Sequence, residues 1–528
     1  MIDINSVKEQ IAKNPEYAAR VYAYGFVFTE CEPQLDVHPF YGLWQSVPVI
    51  VGGEVCGYLT HHPKTGVHTV SGEECSLVLV GHAYDPFAKE SCEDAILGSR
   101  IKSATYDGFI NTLNNVSGVF ALMCIRKDGL VVFGDPTGMQ TVFYGIVDGK
   151  RYVCSHINLI GDLLGLETSD YVKRLVSYKY FPLLGSALPS DVTSFENIKR
   201  LIPNHYVKLT DDVEIKRFFE IKRLELSTEE IAERVKDILS ESLSLIADKW
   251  QRPAISLTGG CDSKTTLACA NGSYDRFSYF SYISNEEERV DAEAAHKICD
   301  ELGLPHTVYE ISNNDSSFSD IECHKSIIFR NAGSARKTNP NDLRKRCFFD
   351  RTDDFDVEIK SWCSEVGRAY YSKRFAGRKR FGKPTARKCT TMYKFFLHNR
   401  RLVRETDKLF GEYISRYMPL DGESRDLVEW QDRFFWEFRM SSWNGNVITG
   451  EHRYSFDIAI PYNNRVLLQL LLSAPLSARI NDAVYEMIRE RANPAVDRCG
   501  IAVTNVKHTS KRAKAENLYY ILHTKVPF

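Results

Sequence analysis

The sequence has neither an excess of charge of one sign nor a long apolar run. Its 528 residues contain 67 Lys and Arg against 69 Asp and Glu, a formal net charge of -2. Without a basic excess, the chain has no field that attracts a polyanion, so we expect no nucleic-acid partner. No run approaches the roughly 18 apolar residues that are typical of a membrane-spanning helix. We therefore expect a cytoplasmic protein without a signal, an anchor or a membrane partner.

Cysteine pairs that would hold a metal are missing as well. The 14 cysteines include no CxxC pair and no Cys/His spacing typical of a zinc site. Several lie in apolar runs, such as Cys124 in FALMCIRK and Cys269 in TTLACAN. This pattern is typical of reduced, buried thiols.

The pattern of the chain changes near residue 226 and predicts two domains. Short β-like runs such as VPVIV, SLVLVG and LVVFGD come first, separated by turn residues. Longer helical segments follow, and Thr228 with two acidic residues after it predicts one helix start. Since 528 residues exceed the size of one core, we predict a first domain over residues 1–215 and a second over residues 225–528.

Strands and helices alternate at the start of the second domain. The order is strand PAISL, helix SKTTLACANG, strand FSYFSYIS, helix VDAEAAHKICDELG and strand HTVYEI. Such alternation predicts a parallel sheet with right-handed crossovers.

The stretch AISLTGGCDSKT joins the first of these strands to its helix and has the form of a phosphate-binding turn. A Walker A loop requires glycines where this chain has Thr258 and Ser263, so that motif is excluded. The form [ST]GGxDS, typical of a pyrophosphate loop, matches in full. In such a loop Asp262 would bind Mg²⁺ and connect it to the phosphates. The alternative is a plain glycine turn in which Asp262 caps the helix.

With this loop the chain resembles the asparagine synthetase family. VSGVFALMCIRKDGLVVFGDPTGMQTVFYG and RYVCSHINLI resemble segments of that family's glutaminase domain, and the likeness extends from about residue 77 to 475. The resemblance implies an α/β protein with two parts. The first is an N-terminal, glutaminase-like αββα sandwich of the Ntn type. The second is a parallel-sheet domain with a pyrophosphate loop, like the adenine-nucleotide α-hydrolases, with helical additions.

One departure from the family concerns the glutaminase nucleophile. Glutamine-dependent members use a cysteine at position 1, whose own α-amine is the base. Here Met1 is followed by Ile2, and the first cysteine is Cys31. We expect no glutaminase activity, as in the β-lactam synthetases and lasso-peptide cyclases that this pattern resembles.

A second departure lies in IKSWCSEVGRAYY, which resembles the family's loop that closes over the phosphates. Ser364 stands where the family has a metal-binding aspartate. Glu365 then either binds the metal in its place or activates the nucleophile. A surface ion pair between Glu365 and Arg368 is the alternative without function.

The resemblance also selects basic residues. Arg439 in WEFRMSSW matches the family's arginine before methionine, and residues 461–464 match a turn after it. The family's pyrophosphate-binding lysine has no counterpart in ARINDAVYEMIRE. The tract VKHTSKRAK offers Lys507, Lys511 or Arg512 instead, unless it is simply a solvated segment.

The chemistry implied is adenylation of a carboxylate by ATP, followed by attack of an amine that releases AMP. The cofactors would be ATP and Mg²⁺. The partners would be a small-molecule or peptide carboxylate and an amine, which is ammonia or an amine of a substrate. A homodimer is one option, and the sequence leaves the oligomeric state open. Catalytic roles fall to Glu365, Arg439 and Lys511, and metal binding to Asp262 and Glu365. The expected nucleotide contacts are Leu257, Thr258, Gly259, Gly260, Asp262, Ser263, Lys264, Phe280 and Ser281.

Two other functions stay open at this point. A decayed nucleotide-binding protein or scaffold is compatible with the altered second loop and the missing lysine. A tRNA-modifying enzyme with a pyrophosphate loop would require a basic face, which the charge balance does not offer.

Overall fold

The computed structural model describes residues 4–101, 110, 112–182, 187–333, 339–393, 397–418, 428–501 and 508–525. The strands within these residues form three sheets. The strands are β1 Phe26–Thr29, β2 Gln45–Val51, β3 Glu54–His61, β4 Val67–Ser71, β5 Ser76–Tyr84, β6 Ser117–Arg126, β7 Gly129–Gly134, β8 Phe143–Val147, β9 Lys150–Cys154, β10 Ile198–Arg200, β11 His205–Leu209, β12 Val213–Arg217, β13 Pro253–Ser256, β14 Ser278–Ile283, β15 Thr307–Glu310, β16 Val357–Ile359 and β17 Asp457–Ala459.

The helices cover the outer faces of the sheets and form most of the second half of the chain. The α-helices are Ile4–Lys13, Glu93–Ile101, Ile157–Leu164, Asp170–Val176, Thr228–Lys249, Cys261–Cys269, Glu286–Glu301, Ile321–Asn331, Pro340–Phe349, Tyr370–Arg374, Ala386–Tyr393, Arg400–Tyr417, Trp430–Phe434, Gly445–Gly450, Arg465–Ser473, Leu476–Ile480, Ala483–Ala492 and Lys511–Lys525. Short 3-10 helices are Pro15–Arg20, Tyr274–Arg276, Asp315–Ser317, Ser364–Arg368, His452–Tyr454 and Pro494–Asp497, and Phe435–Asn444 is a π-helix.

Two antiparallel sheets are built from residues 26–217. Their strand orders are β10-β8-β9-β1-β3-β2 and β12-β11-β7-β6-β5-β4. Tight hairpins join neighbouring strands, since Gly52 and Gly53 both adopt positive φ between β2 and β3, and Asp148 and Gly149 do so between β8 and β9. Two successive residues with positive φ are typical of the turns that suit the twist of a hairpin.

The two antiparallel sheets pack face to face with helices outside them. Val78 and Val80 of β5 pack in the inner core with Phe26 and Phe28 of β1. The alternate residues of β5 pack instead against Leu97, in the helix Glu93–Ile101. The helix Ile157–Leu164 packs in the same cluster as strands of the other sheet. This four-layer arrangement confirms the predicted αββα sandwich.

The third sheet is parallel and has the order β15-β14-β13-β16-β17. Helices connect its strands, as the alternation in the sequence predicted, and with the sandwich it confirms the α/β fold class. The boundaries at residues 215 and 225 stay a prediction. One large hydrophobic cluster contains residues of both the sandwich and the parallel-sheet part, so the two parts share buried surface.

Several features predicted from local sequence patterns are present in the structure. The helix Thr228–Lys249 begins as predicted, because Ser227 and Glu230 form a capping box. The aromatic residues of WQDRFFWEFRMSSW are mostly core, as expected, and Phe434, Phe435, Trp436 and Phe438 are buried. All 14 cysteines are free thiols. None of the described helices is long and apolar enough to cross a membrane.

Candidate nucleotide-binding site at the parallel sheet

The TGGCDS loop, residues 258–263, begins two residues after β13 ends. β14 pairs with one edge of β13 and β16 pairs with the other. The strands that follow β13 are therefore added first on one side of it and later on the other side. Such switch points form the crevice in which open α/β sheets bind ligands. The topology therefore puts the loop where a ligand of this fold is expected.

Hydrogen bonds within the loop hold it as a compact turn. Ser263 Oγ donates to the Thr258 carbonyl at 2.8 Å and accepts from the Thr258 amide at 3.2 Å. The Gly260 amide donates to Thr258 Oγ1 at 3.1 Å. Gly260 caps the helix Cys261–Cys269, whose first amides point beyond its N-terminus and favour an anion.

Asp262 contacts a guanidinium on one oxygen and has the other oxygen free. Arg368 Nη1 lies 2.5 Å from Asp262 Oδ2. Asp262 Oδ1 is buried and has no hydrogen-bond partner among the described residues. A buried carboxylate oxygen without a donor is costly, and a bound cation would remove that cost.

Arg368 is itself fixed by a second carboxylate. Its Nε and Nη2 atoms each lie 2.9 Å from an oxygen of Asp482, in the two-pronged geometry that suits arginine. Lys373 Nζ contacts the same carboxylate at 2.5 Å. Burial opposes ionisation of Asp482, but the hydrogen bonds from Arg368 and Lys373 hold its pKa below the usual value. Among the described residues, Arg368 forms its ion pairs with Asp262 and Asp482 rather than with Glu365.

Glu365 lies close to Asp262 on the short 3-10 helix that follows β16. Burial and the charge of Asp262 raise its pKa above the usual value, while Arg368, Arg439 and Lys373 oppose this shift. The charges of the two carboxylates that the sequence selected as metal ligands thus interact.

Arg439 also belongs to this neighbourhood. It lies on the π-helix Phe435–Asn444, with its guanidinium 5.4 Å from the ring centre of Tyr370 and 5.0 Å from that of Trp443. Burial opposes ionisation of Tyr370, but the charges of Arg439 and Arg374 lower its pKa below the usual value. Two arginine charges therefore act on Tyr370.

The lysines selected from the sequence lie in two different environments. Lys264 Nζ contacts Asp497 Oδ1 at 2.7 Å and the Ile501 carbonyl at 2.8 Å, so its charge is already engaged. Lys511 is exposed at the start of the helix Lys511–Lys525. That helix packs near Tyr370, because Arg374 contacts Glu516 of the helix at 2.8 Å and the Tyr370 hydroxyl at 3.0 Å. Lys507 lies outside the described residues.

Phe280 and Ser281, which were expected to contact adenine, make hydrogen bonds and ring contacts within the protein instead. The Phe280 carbonyl accepts from the Leu257 amide at 2.8 Å, and the Phe280 ring stacks on Phe355 with 4.8 Å between ring centres. Ser281 Oγ donates to the Leu257 carbonyl at 2.7 Å. A cleft of about 430 Å³ lies at the ends of β14 and β15, lined by the last residue of each strand and by residues that follow: Ile283, Ser284, Asn285, Glu286, Arg289, Glu310, Ile311, Ser312 and Asn313.

Sequence reasoning missed three residues that contact the site. Asp482 and Lys373 complete the charge cluster around Arg368, and Asp291 lies near the Gly259 amide of the loop. Burial raises the pKa of Asp291. Asp482 had a weak local signal, because an aspartate directly before a helix is a common cap, but it adopts positive φ and turns its carboxylate to Arg368 instead.

The residues fit Mg²⁺ bound jointly by protein and phosphate. Among the described residues there is no cluster of three or more His, Cys, Asp or Glu side chains that could hold a metal alone. Mg²⁺ usually takes only one or two carboxylates and completes its shell with phosphate and water. Asp262, with its free Oδ1, and Glu365 supply that number of ligands.

No protein-family model and no curated protein matches this chain. Solved structures with partial likeness include an allosteric regulatory enzyme of purine biosynthesis, at 11% identity and a TM-score of 0.24. That match covers 55% of this chain and 60% of the enzyme, less than two thirds of its length. A glutamine phosphoribosylpyrophosphate amidotransferase from B. subtilis, in complex with ADP and GMP, matches at 12% identity and a TM-score of 0.23, over 68% of this chain and 73% of that chain.

Proposed function

We propose that the chain is an ATP-dependent, AMP- and pyrophosphate-forming amide ligase without glutaminase activity of its own. The observation that carries the proposal is the TGGCDS loop at the switch point of the parallel sheet, with the buried Asp262 Oδ1 free to bind a cation. Other buried carboxylate oxygens of the described residues, such as Asp432 Oδ1, also lack a partner, so it is the position of Asp262 in this loop that supports a bound cation.

The first step would be adenylation. A carboxylate oxygen of the substrate attacks the α-phosphorus of ATP, and the bond to the β-phosphate breaks, which gives an acyl-adenylate and pyrophosphate. The loop amides and the start of the helix Cys261–Cys269 would hold the phosphates in line for this attack. Bound Mg²⁺, held by Asp262 and Glu365, would neutralise charge on the phosphates.

The second step would be transfer to an amine. The amine nitrogen attacks the acyl carbon, the bond to AMP breaks, and the amine loses a proton to give an amide. Cys31, the first cysteine of the chain, is internal and has no free α-amine to act as base, which supports an amine source other than glutamine. The cysteine lies exposed after β1 rather than in a buried pocket.

A second candidate is a nucleotide-binding protein that has lost catalysis. The observation that favours it is the contact between Arg368 and Asp262, since a guanidinium already neutralises the carboxylate meant for a metal. Both candidates predict nucleotide binding, and only the first predicts turnover.

Exchange of labelled pyrophosphate into ATP separates these candidates. Purified full-length protein is incubated with ATP, Mg²⁺ and fractionated cell metabolites, and formation of AMP is followed in parallel with and without ammonium. The ligase predicts exchange that depends on a carboxylate in one fraction and is lost in Asp262→Asn. The matched control is Asp275→Asn, an exposed aspartate outside the site.

Each outcome has a defined meaning. AMP formation that requires ammonium indicates a primary amide as product, whereas AMP formation without it indicates an amine already on a substrate. ATP binding without exchange in any fraction favours the inactive nucleotide-binding protein. No ATP binding by wild type contradicts both candidates.

A further inference from the structure

Among the described residues, one cation of the charge cluster forms an ion pair with the carboxylate of the loop. Arg368 Nη1 contacts Asp262, while the rest of its guanidinium is held by Asp482. The side chain of Arg368 is 18% exposed and that of Asp482 is 15% exposed. Charges this poorly hydrated need their partners, so the group is fixed before any ligand arrives.

The backbone explains why Arg368 is directed at the loop. Arg368 ends the 3-10 helix Ser364–Arg368, which follows β16 at the carboxyl edge of the sheet. Asp482 has a positive φ of 59° directly before the helix Ala483–Ala492, and this turns its carboxylate toward the same edge. Two segments far apart in the sequence thus meet over the loop.

The charges of this cluster would allow Arg368 to exchange Asp262 for a phosphate. Asp482 is shared by Arg368 and Lys373, so these three groups together carry one positive charge. Asp262 neutralises that charge in the structure. If Asp262 turns to a bound cation, the positive charge of Arg368 and Lys373 is released beside the phosphate-binding amides of the loop.

We propose that Arg368 binds the terminal phosphates of ATP and the leaving pyrophosphate, with Asp482 as the residue that positions it and Lys373 as a second cation. This inference rests on the proposed function and assigns a role that the sequence left to residues 507, 511 and 512. Arginine suits the role because its planar fork can bind a carboxylate and a phosphate oxygen at the same time.

Two other basic groups near the loop share one carboxylate outside it. Arg489 contacts Asp497 at 2.7 Å, and its Nη1 also lies 3.3 Å from Cys261 Sγ of the loop. Lys264 shares the same Asp497. Lys511 is exposed on the helix Lys511–Lys525 and contacts no carboxylate among the ion pairs of the described residues.

The test compares binding of pyrophosphate with binding of AMP by isothermal titration calorimetry on the full-length protein at fixed Mg²⁺. Arg368→Gln should weaken pyrophosphate binding by about 10- to 100-fold, the range for loss of a charged hydrogen bond. AMP affinity should change less than about twofold, because AMP lacks the terminal phosphates. Asp482→Asn should weaken pyrophosphate binding by a smaller factor, since Arg368 keeps its charge and loses only its orientation.

Two further variants keep the test interpretable. Arg368→Lys retains the charge without the fork and should bind pyrophosphate better than Arg368→Gln, and its melting temperature reports on folding. Arg276→Gln removes a surface arginine paired with Asp248 and should bind like wild type. Pyrophosphate binding by Arg368→Gln equal to that of wild type would overturn the inference and leave the proposed function standing. Wild type that binds neither ATP nor pyrophosphate would overturn the proposed function as well.

Discussion

Asn463 Nδ2 lies 3.0 Å from Asp135 Oδ1, although the two residues are 328 positions apart in the sequence. Asp135 follows β7 of the sandwich, and its carboxylate accepts the amides of Thr137, Gly138, Met139 and Gln140 from its own turn. Asn463 follows β17 and also donates to the Gly118 carbonyl at 2.6 Å. The sandwich and the parallel sheet are therefore joined through one buried polar network.

Removal of Asn463 should weaken this junction. Asn463→Ala leaves the buried Asp135 and Gly118 acceptors with fewer donors, which typically costs about 1–3 kcal/mol for each unsatisfied group. We expect a clear loss of free energy of unfolding in urea and a lower melting temperature. The control is Asn271→Ala, whose exposed side chain donates only to the Ala492 carbonyl and whose loss should cost little. Equal effects of the two substitutions would contradict a structural role for the network.

Gly445 marks a second close contact between the two parts. A Cβ atom at this position would lie 2.2 Å from the Gly138 carbonyl oxygen, which belongs to the turn that Asp135 organises. Backbone cannot yield as a flexible side chain can, so we expect Gly445→Ala to destabilise the protein by about 1–3 kcal/mol.

Gly411 provides the matched control for this substitution. It lies within the helix Arg400–Tyr417, and a Cβ there would meet no atom closer than 4.0 Å. Gly411→Ala should stabilise the protein by about 0.5–1 kcal/mol, because alanine loses less backbone entropy in a helix. Thermal unfolding of both variants measures the contrast, and opposite signs are the expected result.

The sequence predicts the elements of the site better than their contacts. The strand before the loop, the two glycines and the helix after it are local patterns, so the position of Asp262 at the edge of a parallel sheet followed from them. The contacts of Asp262 did not follow, because Arg368 and the Asp482 carboxylate that holds it are 106 and 220 residues away and no local pattern joins them.

The roles of Phe280 and Asn463 show the same limit. The alternation of residues in a strand does not show which face of the sheet contacts a ligand. The Phe280 ring packs into an aromatic core with Phe349 and Phe355 instead. Residues 461–464 match a turn in the sequence, but Asn463 within this turn also joins the two parts of the protein through Asp135. Such a role depends on the packing of two parts, which only the folded chain reveals.

His62 should make the fold sensitive to acid. Its Nε2 contacts the Ala19 carbonyl at 3.0 Å and its Nδ1 accepts from the Lys64 amide at 3.1 Å, so the ring is held neutral. Burial lowers the pKa of His62 to about 4 from 6.5. As pH falls from 6.5 toward 4, the unfolded chain takes up a proton that the folded chain does not. Stability is complete above pH 6.5 and should fall by about 3 kcal/mol across this window.

Urea unfolding at a series of pH values measures this dependence. In His62→Gln the amide can keep both hydrogen bonds but has no proton to gain, so the loss of stability between pH 6.5 and 4 should be smaller than in wild type. His296→Gln is the control, because His296 is exposed to solvent. Parallel pH profiles for wild type and His62→Gln would exclude His62 as a source of the acid sensitivity.

Glu365 should determine how strongly the site requires Mg²⁺. It has no ion pair among the described residues, and burial together with the charge of Asp262 raises its pKa. Two carboxylates that repel each other gain most from a shared divalent cation. Glu365→Gln keeps the shape of the side chain but removes the charge. We therefore expect the Mg²⁺ concentration needed for half-maximal ATP binding to rise by about 10- to 100-fold.

Titration of Mg²⁺ at constant ATP, read out by binding of a fluorescent ATP analogue, measures this shift without any need for turnover. Glu293→Gln, an exposed glutamate on the helix Glu286–Glu301, should titrate like wild type. If Glu365 instead activates a nucleophile, Glu365→Gln would keep the Mg²⁺ dependence of binding and lose only AMP formation, because proton transfer contributes to the reaction and not to the affinity for ATP. The two measurements on one variant thus separate a metal ligand from a general base at this position.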